Sequence, residues 1–116
     1  MATRIKEKTA ARQEAADKRP KATARFIRIS PSKVNIVLDV IRGKSYQEAL
    51  AILANTSKSA SPVLIKVINS AAANAENNMN LSKSDLYIAE AYANQGPTLK
   101  RIMPRAKGRA YRILKR

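Results

Sequence analysis

Eight basic residues and no acid lie between Gly96 and Arg116: Lys100, Arg101, Arg105, Lys107, Arg109, Arg112, Lys115 and Arg116. Cations recurring every one to four positions along an open chain suit a polyanion whose phosphates recur every few ångströms. They do not suit a protein core, where unpaired charge is costly to bury. The chemistry available here is phosphate neutralisation. Leu99, Ile102, Met103, Ile113 and Leu114 are interleaved with the charges, which neither a solvated tail nor a simple basic localisation patch requires. Pro97, Pro104 and Gly108 interrupt any long helix and argue against an amphipathic membrane-surface segment. A proline-broken, non-helical basic chain favours irregular folded RNA over the DNA major groove. Tyr111 is the single aromatic of this arm; it serves equally as a base-stacking platform or as packing between strands.

The rest of the chain must position this arm. Residues 1–28 carry nine basic and three acidic residues, residues 29–95 six and five, and residues 96–116 eight and none. A near-neutral body with two cationic ends points to nucleic acid first and an anionic membrane second. In the N-terminal part Lys18, Arg19, Lys21, Arg25 and Arg28 are candidate RNA contacts. The body is small: a chain of this size buries only about 60% of the surface it exposes when unfolded, so a partner is expected to help hold the arms. Without cysteine no disulfide can compensate, and the composition fits a reducing compartment. No apolar run approaches the roughly 18 residues that span a bilayer, and the N-terminus lacks the apolar region of a secretory signal. Glu7, Glu14 and Asp17 argue against a transit peptide. The expected location is the cytoplasm, with no membrane insertion.

Three regions follow. Residues 1–21, rich in Ala, Lys, Arg and Glu, offer a helix only alanine to bury and are expected to be disordered until RNA orders them. Residues 22–95 form the body. Ala22 to Ile29 carries a weak period of two and is read as a strand. Ser30-Pro31 opens a first body helix with Val34, Val37, Leu38 and Ile41 at helical spacing, and Gly43 supplies its left-handed end. Ser45 and Glu48 make a capping-box pattern for a second helix bearing Ala49, Leu50, Ile52 and Leu53. A third starts between Ser57 and Pro62, runs to about Asn78, and carries a stripe from Val63 to Ala75. Leu86 to Asn94 alternates as a second strand. Residues 96–116 are the basic arm, with a turn at Ala106 to Arg109 and Gly108 free to take positive φ.

An enzyme is not expected, and no catalytic residue, cofactor or metal is assigned. The chain has no histidine or cysteine, which removes the commonest general base, thiol nucleophile and soft metal ligands. Its body acids (Asp39, Glu48, Glu76, Asp85, Glu90) match no short-spaced carboxylate motif, and its three glycines form no phosphate loop. In the body, Lys33, Arg42 and Lys44 flank the first helix, and Asn74 and Asn77 lie near the end of the third. Each is read either as an RNA contact or as an ordinary solvated or capping residue.

Residues 100–110, Lys-Arg-Ile-Met-Pro-Arg-Ala-Lys-Gly-Arg-Ala, preceded by Gly96-Pro97, resemble the signature of the bacterial large-subunit ribosomal protein family L twenty-two. The blocks at 30–33, 41–44 and 70–77 are similar to further family blocks, in the same order. The resemblance implies an α+β fold: three helices packed on a small antiparallel sheet, with a long basic β-hairpin arm; the N-terminal extension before about Ala22 falls outside the resemblance. It implies a structural role in the large ribosomal subunit, binding ribosomal RNA and lining the polypeptide exit tunnel beside the tunnel protein L four and the nascent polypeptide. By this match Leu99, Lys100 and Arg101 lie where family variants confer macrolide resistance. With them Arg105, Ala106, Lys107, Gly108 and Arg109 would line the tunnel. The family's closing Thr-Ser-His-type return segment is not found in these residues: either the chain is truncated here, or the return strand is lost and the sheet lacks a member. A free-standing RNA chaperone outside the ribosome is the alternative function.

Overall fold

The computed structural model describes residues 2–116, and the side chains from residue 3 onward. Four α-helices and one two-stranded antiparallel sheet make it an α+β protein. The helices are α1 (Ala2–Glu14), α2 (Pro31–Ile41), α3 (Tyr46–Asn55) and α4 (Ser61–Met79); the strands are β1 (Leu99–Pro104) and β2 (Ala110–Lys115).

Helices α2 to α4 form where periodicity predicts them. Pro31 occupies the first turn of α2. Ser30 holds the N-cap position, but its hydroxyl bonds Ser32 Oγ at 2.9 Å instead of a backbone N–H. Gly43 takes φ +80° just beyond the helix, the left-handed stop that a side chain would strain. On α3 the Ser45 hydroxyl accepts the Glu48 N–H at 3.3 Å, half of a capping box; the Glu48 carboxylate pairs with Lys44 at 3.1 Å. Asn80, at φ 53°, caps α4 and donates its N–H to Glu76 O.

The core sits where these helices meet. Val37, Leu38 and Ile41 of α2, Ala49 and Leu53 of α3, and Ala60 and Leu64 around the start of α4 are buried together, with Ile41 and Leu53 almost wholly enclosed. Ala72 and Ala75 are buried farther along α4, as expected of a small-residue stripe that admits a close neighbour.

Three expectations about the architecture are corrected. First, the described residues form four α-helices, the additional one being α1 in the N-terminal extension. Its Ala, Lys, Arg, Glu and Gln residues are good helix formers, and its side chains from residue 3 onward are exposed. Second, the strand read over Ala22 to Ile29 does not form: Phe26 takes φ 57°, which breaks the alternation. Third, Leu86 to Asn94 runs beside α2 without becoming a strand. It makes one isolated bridge, Ser45 to Tyr87, and backbone bonds from Gly43 N to Ile88 O and from Ile88 N to Lys44 O, both 2.9 Å. Farther along, side chains take the place of a partner strand. Asn35 donates to Ala93 O and accepts from Ala93 N (3.1 and 2.9 Å), and Arg42 donates twice to Ala91 O (3.0 and 2.6 Å). The helices therefore pack on one another and not on a body sheet. Segments 22–29 and 86–93 instead border an open apolar groove lined by Val34, Leu64, Ile68 and Ile88.

The chain extends well beyond this core. Its radius of gyration is 19.8 Å, against about 13 Å for a compact domain of this length.

Leu53→Ala should cost about 2–5 kcal/mol, the range for emptying a buried leucine site, and urea unfolding followed by circular dichroism would measure it. Asn35→Ala leaves both polar groups of Ala93 without their partner. It should cost about 1–3 kcal/mol and speed amide exchange at Ala93 selectively.

Candidate nucleic-acid interface

The charged ribbon is built by β1 and β2. Their register pairs Leu99 with Lys115, Lys100 with Leu114, Arg101 with Ile113, Ile102 with Arg112, Met103 with Tyr111 and Pro104 with Ala110. Directly opposed residues share a face, so Leu99, Arg101, Met103, Tyr111, Ile113 and Lys115 lie on one side. The first four pairs each set a cation against an apolar residue. No like charges are directly opposed, an arrangement that would destabilise a two-stranded ribbon, and both faces carry charge. Pro104 sits at the end of its strand, where a missing N–H is tolerated. From Leu99 to Arg116 only Ile113 is even partly covered.

The tip is a tight turn. Arg105 N donates to Arg109 O at 2.8 Å and Arg109 N to Ala106 O at 3.3 Å. Gly108 takes φ +68°, as its place in the turn predicts, and Lys107 takes φ 58° as well. Two successive left-handed residues turn the chain sharply and leave Lys107 exposed at the apex. The Arg105 guanidinium lies 5.3 Å from the centroid of the Tyr111 ring, a cation–π contact. Tyr111 therefore packs within the ribbon while staying 62% exposed. At the ribbon's root Arg28 Nη2 donates to Lys115 O at 3.1 Å.

The remaining candidates divide by what they touch. Arg19 is held by Asp17 at 2.6 Å and Glu90 at 2.8 Å, pinning the extension to the 86–93 segment. Arg42 is occupied by Asp39 at 2.6 Å and by Ala91 O, and Lys44 by Glu48. Asn74 Nδ2 donates to Lys21 O at 3.0 Å, a link internal to the chain. Lys18, Lys21, Arg25, Lys33 and Asn77 are exposed, and among the described residues none of the cations in this group enters an ion pair. Sequence reasoning missed the tethering work of Arg19, Arg28, Asn35 and Arg42. Their partners lie 49 to 87 positions away, and no local pattern announces such contacts.

Bonds from the Arg19 guanidinium and its backbone N–H hold the Asp17 carboxyl down at about 2, from an ordinary 3.8. Asp17 and Glu90 in turn raise Arg19 above its usual range.

A ribbon of staggered cations raised on a small helical body has the charge to suit a polyanionic partner. The family Ribosomal protein L22p/L17e matches residues 22–116, and the chain belongs to that family, whose members are structural proteins and not enzymes. It is 62% identical over 96 residues to large ribosomal subunit protein uL22 of Clostridium novyi (strain NT), covering 83% of this chain and 86% of that protein. Identity is also 62% to the protein of that name from Acetivibrio thermocellus, over 83% of this chain and 77% of the relative. For the protein of that name from Staphylococcus aureus (strain JH9) it is 59%, over 83% and 82%.

Because the folded-state value of Asp17 is depressed, its pairing with Arg19 favours the folded arrangement above about pH 4 and is lost as pH falls toward 2. Carboxyl-detected NMR should place the Asp17 midpoint near 2, rising toward 3.8 without reaching it in Arg19→Gln, which removes the guanidinium and keeps the backbone N–H bond.

Proposed function

We propose that this chain is a structural constituent of the large ribosomal subunit in the cytoplasm, and that its ribbon binds large-subunit ribosomal RNA. The observation that carries the reading is the register, which staggers Lys100, Arg101, Arg112 and Lys115 over both faces with no acid in the ribbon. A cationic strip charged on two faces can neutralise phosphates from RNA segments on either side and release their counterions. The apolar residues between the charges fill space that water would otherwise occupy. Arg105, Lys107, Arg109 and Arg116 extend the charge around the tip and the root, and Lys18, Lys21, Arg25, Lys33 and Asn77 add contacts near the body. Arg19, Arg28, Arg42 and Asn74 act first as tethers that hold the ribbon and extension in place for RNA, and Lys44 pairs locally with Glu48.

Leu99, Lys100, Arg101 and the tip from Arg105 to Arg109 line the exit tunnel, next to tunnel protein L four and the nascent polypeptide. A long ribbon is the form this task needs. Six paired residues reach roughly 20 Å while presenting only side chains and a narrow backbone to a passing chain. No chemistry is required of it.

Replacing Lys100, Arg101, Arg112 and Lys115 together by Gln tests the ribbon. The slope of log K against log salt for binding large-subunit RNA should shrink by about 3 units, at roughly 0.7–0.9 per lost phosphate contact. The unaltered chain should also stay with large subunits through a high-salt wash. An unchanged slope would show that the ribbon is not the RNA-engaging element.

A further inference from the structure

Helix α1 lies outside the residues that match the family, and the ribbon's role leaves it without one. Its charges are sorted by face. Arg4, Lys8 and Arg12 recur every four residues, so they form one row spanning about 80° of arc, with steps of about 6 Å along the axis. That step is close to the separation of neighbouring phosphates along one nucleic-acid strand. Lys6 points to the opposite side, and Glu7 and Glu14 are turned about a third of a turn away from the middle of the row. All three row residues are exposed, and among the described residues none of them enters an ion pair.

Two further observations bear on this helix. Its first turn has no acid, so its own charges do nothing for the positive end of the macrodipole, and Arg4 adds to it. An anion laid along the row corrects that defect. In addition, the extension is fixed at its root by Arg19 to Glu90 and by Asn74 to Lys21 O, so α1 leaves the body from a set point.

We infer that α1 is a second RNA-binding element, which lays the row Arg4, Lys8 and Arg12 against the phosphates of one strand of ribosomal RNA. The inference rests on the RNA-binding reading above and adds a site to it. The helix reads no base; it clamps backbone, and RNA binding in turn stabilises a helix too short and too apolar-poor to persist strongly alone.

The test uses the full chain with large-subunit RNA in a salt series. Glutamine retains helix propensity, so the variants are Arg4→Gln, Lys8→Gln and Arg12→Gln, singly and combined, with Lys6→Gln as the opposite-face control. Each row variant should lower the salt slope by roughly 0.7–0.9, the triple variant by about 2 units or more, and Lys6→Gln should leave it unchanged. Amide exchange across Ala2–Glu14 should slow when RNA is added to the unaltered chain and not to the triple variant. A wild-type slope for the triple variant overturns the inference, as does a Lys6→Gln effect equal to those of the row. If the ribbon variant still lowers the slope, only the role of α1 falls. If neither lowers it, the RNA-binding reading falls with it.

Discussion

The structure depends on how α2 holds the chain that leads to the ribbon. Asn35 and Arg42 between them satisfy Ala93 N–H and the carbonyls of Ala91 and Ala93, while Gly43 and Lys44 take both polar groups of Ile88. Buried or half-covered backbone must find such partners, and here they come from one helix and the turn that ends it. The left-handed Gly43 makes this possible, because it aims its own N–H at Ile88 O at the moment the chain leaves α2. Through these bonds the small core of Ile41, Leu53 and Leu64 fixes the segment from which the ribbon departs.

Electrostatics then distributes the work between two kinds of cation. Arg19, Arg42 and Lys44 bond acids or carbonyls of the body, and Arg28 bonds the ribbon root at Lys115 O, so these cations shape the chain. Those on the ribbon have no acid within reach of their sequence neighbourhood, and the strand register spaces them against apolar partners. Exposed ion pairs contribute little individually, so the tethers matter for direction more than for stability. The two groups are the same residue types, and only the tertiary surroundings separate them.

That division marks what the sequence made legible. Periodicity and caps placed α2, α3 and α4 closely, because helical signals are local: Pro31, Ser45 with Glu48, and Gly43 each act within one turn. The turn around Gly108 was equally readable. The strands of the body were not, since alternation at 22–29 and 86–94 records a preference for extended chain and cannot supply the neighbour that makes a ladder. Asn35 and Arg42 filled that role for one segment, and Phe26 turned the other aside. Helix α1 poses a related problem: its residues are good helix formers with nothing to bury, so the pattern that favours a helical backbone gives no core to anchor it.

In the ribbon, composition and spacing single out the cations as a group, because an acid-free run of charge needs no tertiary knowledge to be recognised as unmatched. What they could not give was the face each cation occupies. The register settles that: a shift of one residue between β1 and β2 would move Arg101 and Lys115 to opposite sides and bring cations into direct opposition. The sharp turn through Lys107 and Gly108 and the Arg105–Tyr111 contact hold that register at the tip, and Arg28 on Lys115 O holds it at the root. A two-stranded ribbon is marginal in water by itself. Its charge pattern adds repulsion among cations on both faces and leaves the apolar residues between them exposed, so nothing within the ribbon itself offsets that marginality.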